Sequence, residues 1–165
     1  ATGACALACL RRATEATLAA PQTSALVTAP LHKAAVEASE PAFTGHTEWL
    51  QQRCGAAEVG MWLHGGPSLN VILVTTHIAL ARVPGLISTA GILSKGRLLA
   101  AALAQLLGRP PRLAVLGLNP HAGEGGLFGD EDQRLVAPAV AALQAEGISA
   151  EGPLPPDTAF TPAAR

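Results

Sequence analysis

Two short apolar runs, LNVILVTTH (69–77) and RLAVLGL (112–118), constrain this chain more than any other feature. Neither alternates polar with apolar residues, as a strand with one wet face would. Each therefore reads as a strand buried on both faces. Between them lies STAGILSKGRLLAAALAQLLG (88–108), a long helical pattern with Gly91 and Gly96 inside it, closed by Gly108 and Pro110. Buried strands that alternate with helices predict an α/β domain whose sheet is covered on both faces.

The rest of the chain extends that pattern. Residues 2–19 read as a helix with Ala4, Leu7, Ala8, Leu10 and Leu18 on its apolar side, ended by Pro21. SALVTAP (24–30) reads as a short buried strand and LHKAAVEA (31–38) as helical. GHTEWLQQRCG (45–55) reads as a helix with Thr47 as its cap, Glu48 in the first turn and Gly55 as the stop. EVGMWLH (58–64) is a strand, and the turn Gly65-Gly66-Pro67 allows it to form a hairpin with 69–77. A helix is expected over 129–146, with Pro138 as a kink or a break, then a short strand from Ile148 to Glu151 and the loop GPLPPDTAF. No internal repeat or low-complexity linker interrupts the 165 residues, so 1–165 reads as one α/β domain.

Composition narrows the function classes. The chain is 49% hydrophobic and 14% charged, which argues against disorder. A net charge of -1, no basic stripe, three Phe, two Trp and no Tyr give no support for nucleic-acid binding. Cys5, Cys9 and Cys54 are odd in number and form no C-x-x-C pair, which fits reduced thiols. Cys5 and Cys9 share a helix face and read as small core residues; a metal pair there lacks a third ligand nearby. Arg11 and Arg12 follow the first apolar stretch, the wrong order for a secretory signal. No apolar run is read as long enough to span a membrane, so a cytoplasmic protein with no membrane partner is the expectation. The chain begins with Ala1, which suits a processed chain or a piece of something longer.

The chemistry gathers around histidines. VLGLNPHAGEGGLFGDED (115–132) ends a strand, turns through Asn119-Pro120 and sets His121 and Glu124 among glycines ahead of an acidic patch. His77 stands at the end of the other buried run. In an open α/β sheet the carboxyl ends of parallel strands form the binding crevice, where the two imidazoles can converge. Neutral imidazoles on separate strands suit a divalent metal, at about 2.0–2.1 Å for zinc. Two histidines do not complete a site, and the third ligand must come from elsewhere. A lone histidine is more often a satisfied polar residue, and His46 is undecided on this evidence. His32 reads as a cap or an ordinary surface residue, and His64 as part of a turn. The glycine cluster matches neither a phosphate loop nor a dinucleotide fingerprint. Asp130, Glu131 and Asp132 complement the dipole at the start of the next helix and would repel a phosphate. Glu124 is either a general base or a solvated cap, and Asp157 either a carboxylate near the metal or part of an Asp-Thr turn.

LVTAPLHK, FTGHTEWL, LVTTHIAL, LGLNPHAGEGGLFGDED and GPLPPDTAF together resemble the 4-hydroxythreonine-4-phosphate dehydrogenases of pyridoxal phosphate biosynthesis, in order and spacing. The chain matches about the middle half of a family member. The resemblance implies an isopropylmalate-dehydrogenase-like fold of α/β/α layers, here a partial one, without the N-terminal segment and the C-terminal lobe. It implies that His46 and Thr47 contact a phosphorylated substrate, that His77 and His121 bind a divalent metal (zinc, magnesium or cobalt), and that Asp157 acts at the metal centre. Pro156 stands where the family has Ala, and Ala29 where a Gly is common. The third metal histidine, the remaining substrate residues and much of the NAD or NADP site belong to a following segment, so no residue here is assigned to the dinucleotide. The family implies a homodimer with the active site at the interface. The implied reaction is oxidation of 4-phosphooxy-L-threonine with decarboxylation to 3-amino-2-oxopropyl phosphate. Related members act on four-carbon sugar-acid phosphates or on aromatic cis-dihydrodiols. The rival expectation is a non-catalytic fragment that lacks the cofactor region.

Overall fold

The structure is a computed structural model that describes residues 2–66 and 69–161. It divides into two compact units, Ala1–Val59 and Gly60–Arg165.

In the first unit α1 (Thr2–Ala19) packs on α2 (Lys33–Glu37), and α3 (His46–Cys54) completes the set. Leu7, Leu10, Val36, Phe43 and Trp49 form its core, with Leu26, Leu31 and Leu50 against it. The buried side of α1 is Gly3, Leu7, Leu10 and Thr14, a run at helical spacing. Ala4 and Ala8, expected on that side, are exposed, and Leu18 is about half exposed. The reason is the close approach of α2. A methyl at Gly3 would collide with the carbonyl of Ala35, so the helix turns its glycine, not its alanines, toward α2. That rotation also puts Cys5 and Cys9 in solvent, where a core position was expected.

Two other expectations in this unit fail. Residues 24–30 form no strand, and Val27 is 92% exposed; among the described residues no strand lies in this unit to pair with it. An extended run without a partner would leave its N–H and C=O groups unpaired, so apolar character alone does not make a strand. Thr47 does not cap α3. The cap position falls on Gly45, which has no side chain to offer, and Thr47 lies inside the first turn. Gly55 ends α3 in the left-handed region at φ 60, as the sequence suggests. His32 caps α2: its Nδ1 accepts from the Ala35 N–H at 3.2 Å.

The second unit carries the strands. β1 (Trp62–His64) and β2 (Asn70–Ile72) form the expected antiparallel hairpin, with Trp62 opposite Ile72. The Gly65 N–H donates to Leu69 O and the Leu69 N–H to Gly66 O, while Pro67 of the expected turn lies outside the described residues. A short helical turn, α4 (Val83–Leu86), precedes α5 (Thr89–Leu107). Ser88 caps α5 by accepting from the Gly91 N–H at 3.1 Å, and Gly108 ends it at φ 65. β3 (Arg112–Leu116) and β4 (Ser149–Leu154) lie parallel, and α6 (Ala137–Ala145) crosses between them. Parallel strands need such a crossover, and it must bury one face on the pair it joins. Ile92, Leu99 and Leu103 of α5, Ala139, Val140 and Leu143 of α6, and Leu113 and Ala150 of the strands make that core. Gly96 lets the helices touch, since a methyl there would sit 2.8 Å from Leu143 Cδ1.

The makeup is that of a partial α/β fold, as expected. The single covered sheet is represented by two separate two-stranded sheets. Pro138 neither kinks nor breaks the helix in mid-course. A π-turn spans Asp132–Val136, the Ala137 N–H reaches back to Asp132 O, and Pro138 falls in the first turn of α6, where its missing N–H is tolerated. By length and mean hydropathy (1.3), α5 is apolar enough to cross a membrane, contrary to the expectation that no run comes close. Its buried residues instead join the core shared with α6 and the strands.

Candidate metal-binding site

Because β3 and β4 are parallel, the chain leaves both at the same end. The Gly117 N–H bonds to Leu154 O at 2.8 Å and extends the pairing one step past β3. From there one loop carries His121 and the other carries Asp157. Their side chains meet, with His121 Nδ1 3.0 Å from Asp157 Oδ2. Both groups are about half exposed, so the pair sits at a surface and not in the core. The Phe128 ring lies beside the imidazole, 6.1 Å between centroids.

The loop that holds His121 has an unusual backbone. Five consecutive residues, His121 to Gly125, occupy left-handed φ/ψ, with φ between 41 and 79. Glycine adopts this freely, but His121, Ala122 and Glu124 each incur about 1–2 kcal/mol for it. Something must hold them. Asp132 is fully buried, and its carboxylate accepts from the Leu118 N–H at 2.6 Å and the Asn119 N–H at 3.0 Å. Charge-assisted bonds of this kind contribute about 1.5–3 kcal/mol each, which is of the same order as the strain. Gly117 lines the clamp: a methyl there would lie 2.9 Å from Ala122 Cα and 3.0 Å from Asp132 Oδ1. Asn119 adds a second tie, donating from Nδ2 to Glu131 Oε2 at 2.8 Å. That bond holds the Glu131 carboxyl below its ordinary value of 4.5.

The acidic patch thus does more than complement a helix dipole. Asp132 was missed as a functional support, although a signal existed. Asp132, Val136, Ala139, Val140 and Leu143 are spaced by four, three, one and three residues and are all buried, so the aspartate lies on the helix's inward face.

His77 is exposed, and it too holds a left-handed backbone, at φ 55. It does not end a strand parallel to β3. β2 stops at Ile72 and belongs to the hairpin, so the neighbour that parallel pairing gives His121 is Asp157. His46 and Thr47, partly buried, open α3 in the other unit, where the His46 ring packs edge-on against Phe43 at 6.2 Å. Glu124 is exposed, and its φ of 41 is part of the left-handed run. His64 lies in β1 and not in the turn; its Nδ1 stands 2.8 Å from Asn70 Oδ1.

The donor chemistry around His121 suits zinc or cobalt, an imidazole joined by a carboxylate. The count is short: among the described residues no group of three or more His, Cys, Asp and Glu side chains could hold an ion. What the described residues present is one histidine–aspartate pair at the ends of two parallel strands.

Comparison with known proteins gives a consistent answer. The family model for the pyridoxal phosphate biosynthetic protein PdxA matches residues 1–165. A 4-hydroxythreonine-4-phosphate dehydrogenase of Desulfosudis oleivorans is 50% identical over 143 residues, which is 86% of this chain and 42% of that protein. The crystal structure of a 4-hydroxythreonine-4-phosphate dehydrogenase from Klebsiella pneumoniae superposes with a TM-score of 0.89 at 42% identity, covering 98% of this chain and 48% of that one. A terephthalate 1,2-cis-dihydrodiol dehydrogenase from Burkholderia xenovorans follows at a TM-score of 0.73 and 31% identity, over 98% of this chain and 51% of that one. This chain spans less than half the length of the curated relatives it matches. Over that span it belongs to the PdxA family of pyridoxal phosphate biosynthetic proteins.

Proposed function

We propose that this chain is the metal-carrying part of a cytoplasmic, homodimeric dehydrogenase whose active site lies at the subunit interface. The substrate would be 4-phosphooxy-L-threonine. Oxidation of its C3 hydroxyl by NAD or NADP, followed by loss of carbon dioxide, would give 3-amino-2-oxopropyl phosphate. The observation that carries the reading is the loop at β3. A histidine nominated from sequence is held in a costly backbone conformation with a carboxylate 3.0 Å away. Strain that the surrounding structure over-determines is characteristic of functional sites.

Each residue has a separate task. His121 and His77 present imidazoles to a divalent ion, and Asp157 belongs to the same centre. His46 and Thr47 bind the substrate's phosphorylated end at the first turn of α3, whose N-cap Gly45 makes no side-chain capping bond. A bound divalent ion supplies Lewis-acid polarisation of the hydroxyl and later the carbonyl oxygen. Imidazole donors favour zinc or cobalt over magnesium. The oxidised product would be a β-keto acid, from which carbon dioxide leaves.

A second reading stays in view because the dihydrodiol dehydrogenase shares the fold at 31% identity. The higher identity to the phosphothreonine enzymes favours the first. The test is direct: the native polypeptide is supplied with NAD, cobalt and either 4-phosphooxy-L-threonine, a four-carbon sugar-acid phosphate or a cis-dihydrodiol. Nicotinamide reduction with the first alone supports the proposal, and with another alone redirects it. No turnover of any of them by the metal-loaded polypeptide leaves the non-catalytic reading standing.

A further inference from the structure

We infer that the outer face of α1 carries a two-thiol site, Cys5 and Cys9, for a soft monovalent cation, copper(I). Neither residue belongs to the site around His121, and the dehydrogenase reading uses neither. Both thiols are exposed, because α1 turns Leu7, Leu10 and Thr14 inward. Among the described residues no third His, Cys, Asp or Glu joins them as a ligand, which rules out a tetrahedral zinc site. Two sulfur donors are enough for an ion that takes a linear pair of ligands, and thiolates select copper(I).

Residues four apart on a helix hold their Cβ atoms about 5–6 Å from one another. A disulfide needs about 3.5–4.5 Å, so the intact helix keeps these two thiols from bonding to each other. An ion set between the sulfurs spans the larger gap. Around the helix, Cys9 lies about 40° to one side of Cys5 and Arg12 about 20° to the other, so the three form one stripe. Helical side chains lean toward the N-terminus, which directs Arg12 over Cys9 and Cys9 over Cys5. Arg12 is exposed, and among the described residues no carboxylate pairs with it. The charges beside it are engaged elsewhere: Arg11 pairs with Glu40, and Glu15 with Arg53 at 3.1 Å. Binding breaks two S–H bonds, forms two Cu–S bonds and releases two protons to solvent, with copper at +1 throughout. The resulting bis-thiolate complex carries one negative charge, which Arg12 offsets. Cys54 belongs to α3 and has no part in the stripe.

The test titrates copper(I) alone into this chain, reduced and without oxygen, against a coloured copper(I) chelator. The ultraviolet thiolate-to-copper band reports sulfur ligation. One copper(I) per chain is expected, with the band intact in Cys54→Ser and in His121→Ala and lost in Cys5→Ser and in Cys9→Ser. Both thiols are in solvent, so circular dichroism of the serine variants should match the parent. Ala8 is also exposed, and a cysteine there stands three residues from Cys5 on the same side of α1. Adding Ala8→Cys to Cys9→Ser should therefore restore the band, which a serine variant that merely misfolds would not allow. Arg12→Gln should weaken binding about 2–5-fold, the worth of one exposed charge pair, and Arg12→Lys should not. A band that survives in the Cys5→Ser, Cys9→Ser double variant, or one that disappears in Cys54→Ser, overturns the inference. So does a copper-dependent doubling of mass in sedimentation, because the sulfurs would then come from two chains.

Discussion

Replacing Asp132 by alanine is expected to unfold the second unit under conditions where the parent chain stays folded. Asp132 has no exposed surface, and its carboxylate accepts from two backbone N–H groups, those of Leu118 and Asn119. Each bond to a charged acceptor contributes about 1.5–3 kcal/mol, so the pair contributes about 3–6. Alanine also removes the wall that closes the space beside Gly117. Against this stands the desolvation cost of burying the carboxylate, which the alanine variant no longer incurs and which returns part of the loss. The net expectation is about 3–5 kcal/mol, a large share of the 5–15 or so that a domain possesses. In urea, at a slope of about 1.5 kcal/mol/M, the midpoint should fall by about 2–3 M with the slope unchanged. Asp132→Asn is the informative partner. It keeps one acceptor oxygen but sets an NH₂ against a backbone N–H, so it should cost about half as much. A midpoint shift in Asp132→Ala smaller than that in Asp132→Asn, or a loss below about 1 kcal/mol, would refute the clamp.

Two further outcomes follow from the same loop. His121→Gly should stabilise the chain by about 1 kcal/mol, because glycine adopts φ 52 without strain, while cobalt binding is lost; a destabilised variant in thermal melts would contradict the strain argument. Asn119→Ala should weaken the chain most at neutral pH. The folded Glu131 carboxyl lies below its unfolded value of 4.5, so its contribution is present above that value and disappears as pH falls through the folded one. The parent and the variant should therefore converge in urea midpoint in acid, and a gap that widens below pH 4.5 would count against the bond.

How much of this was legible depended on whether periodicity or pairing decided the outcome. α5 and α3 were readable because their ends carry local punctuation, Ser88 and Gly108 in one case and Gly55 in the other. The hairpin was readable from two apolar runs around a glycine turn. Residues 24–30 were not, because a strand exists only if another strand comes to meet it. The face of α1 was misjudged since a glycine, which looks like a break in an apolar stripe, marks where α2 comes close. At the site, His121 and Asp157 could each be singled out by residue type and by resemblance. Their contact could not, because it depends on which strands are parallel neighbours. The sequence pairs His77 with His121 as matched strand ends, while the pairing of β3 with β4 gives His121 the aspartate.

The crossover between β3 and β4 has a consequence for how the second unit opens. The hairpin β1–β2 is sequence-local, and its few backbone bonds can break and re-form by fraying from the turn. β3 and β4 meet only when α6 lies docked between them in sequence and over them in space. Their amides therefore exchange with solvent water only in openings that also release Leu143 and Ala139 from the core. The junction of the His121 and Asp157 loops inherits that protection at its base. The tips of the loops are wet, yet the geometry between them persists for as long as α6 stays seated.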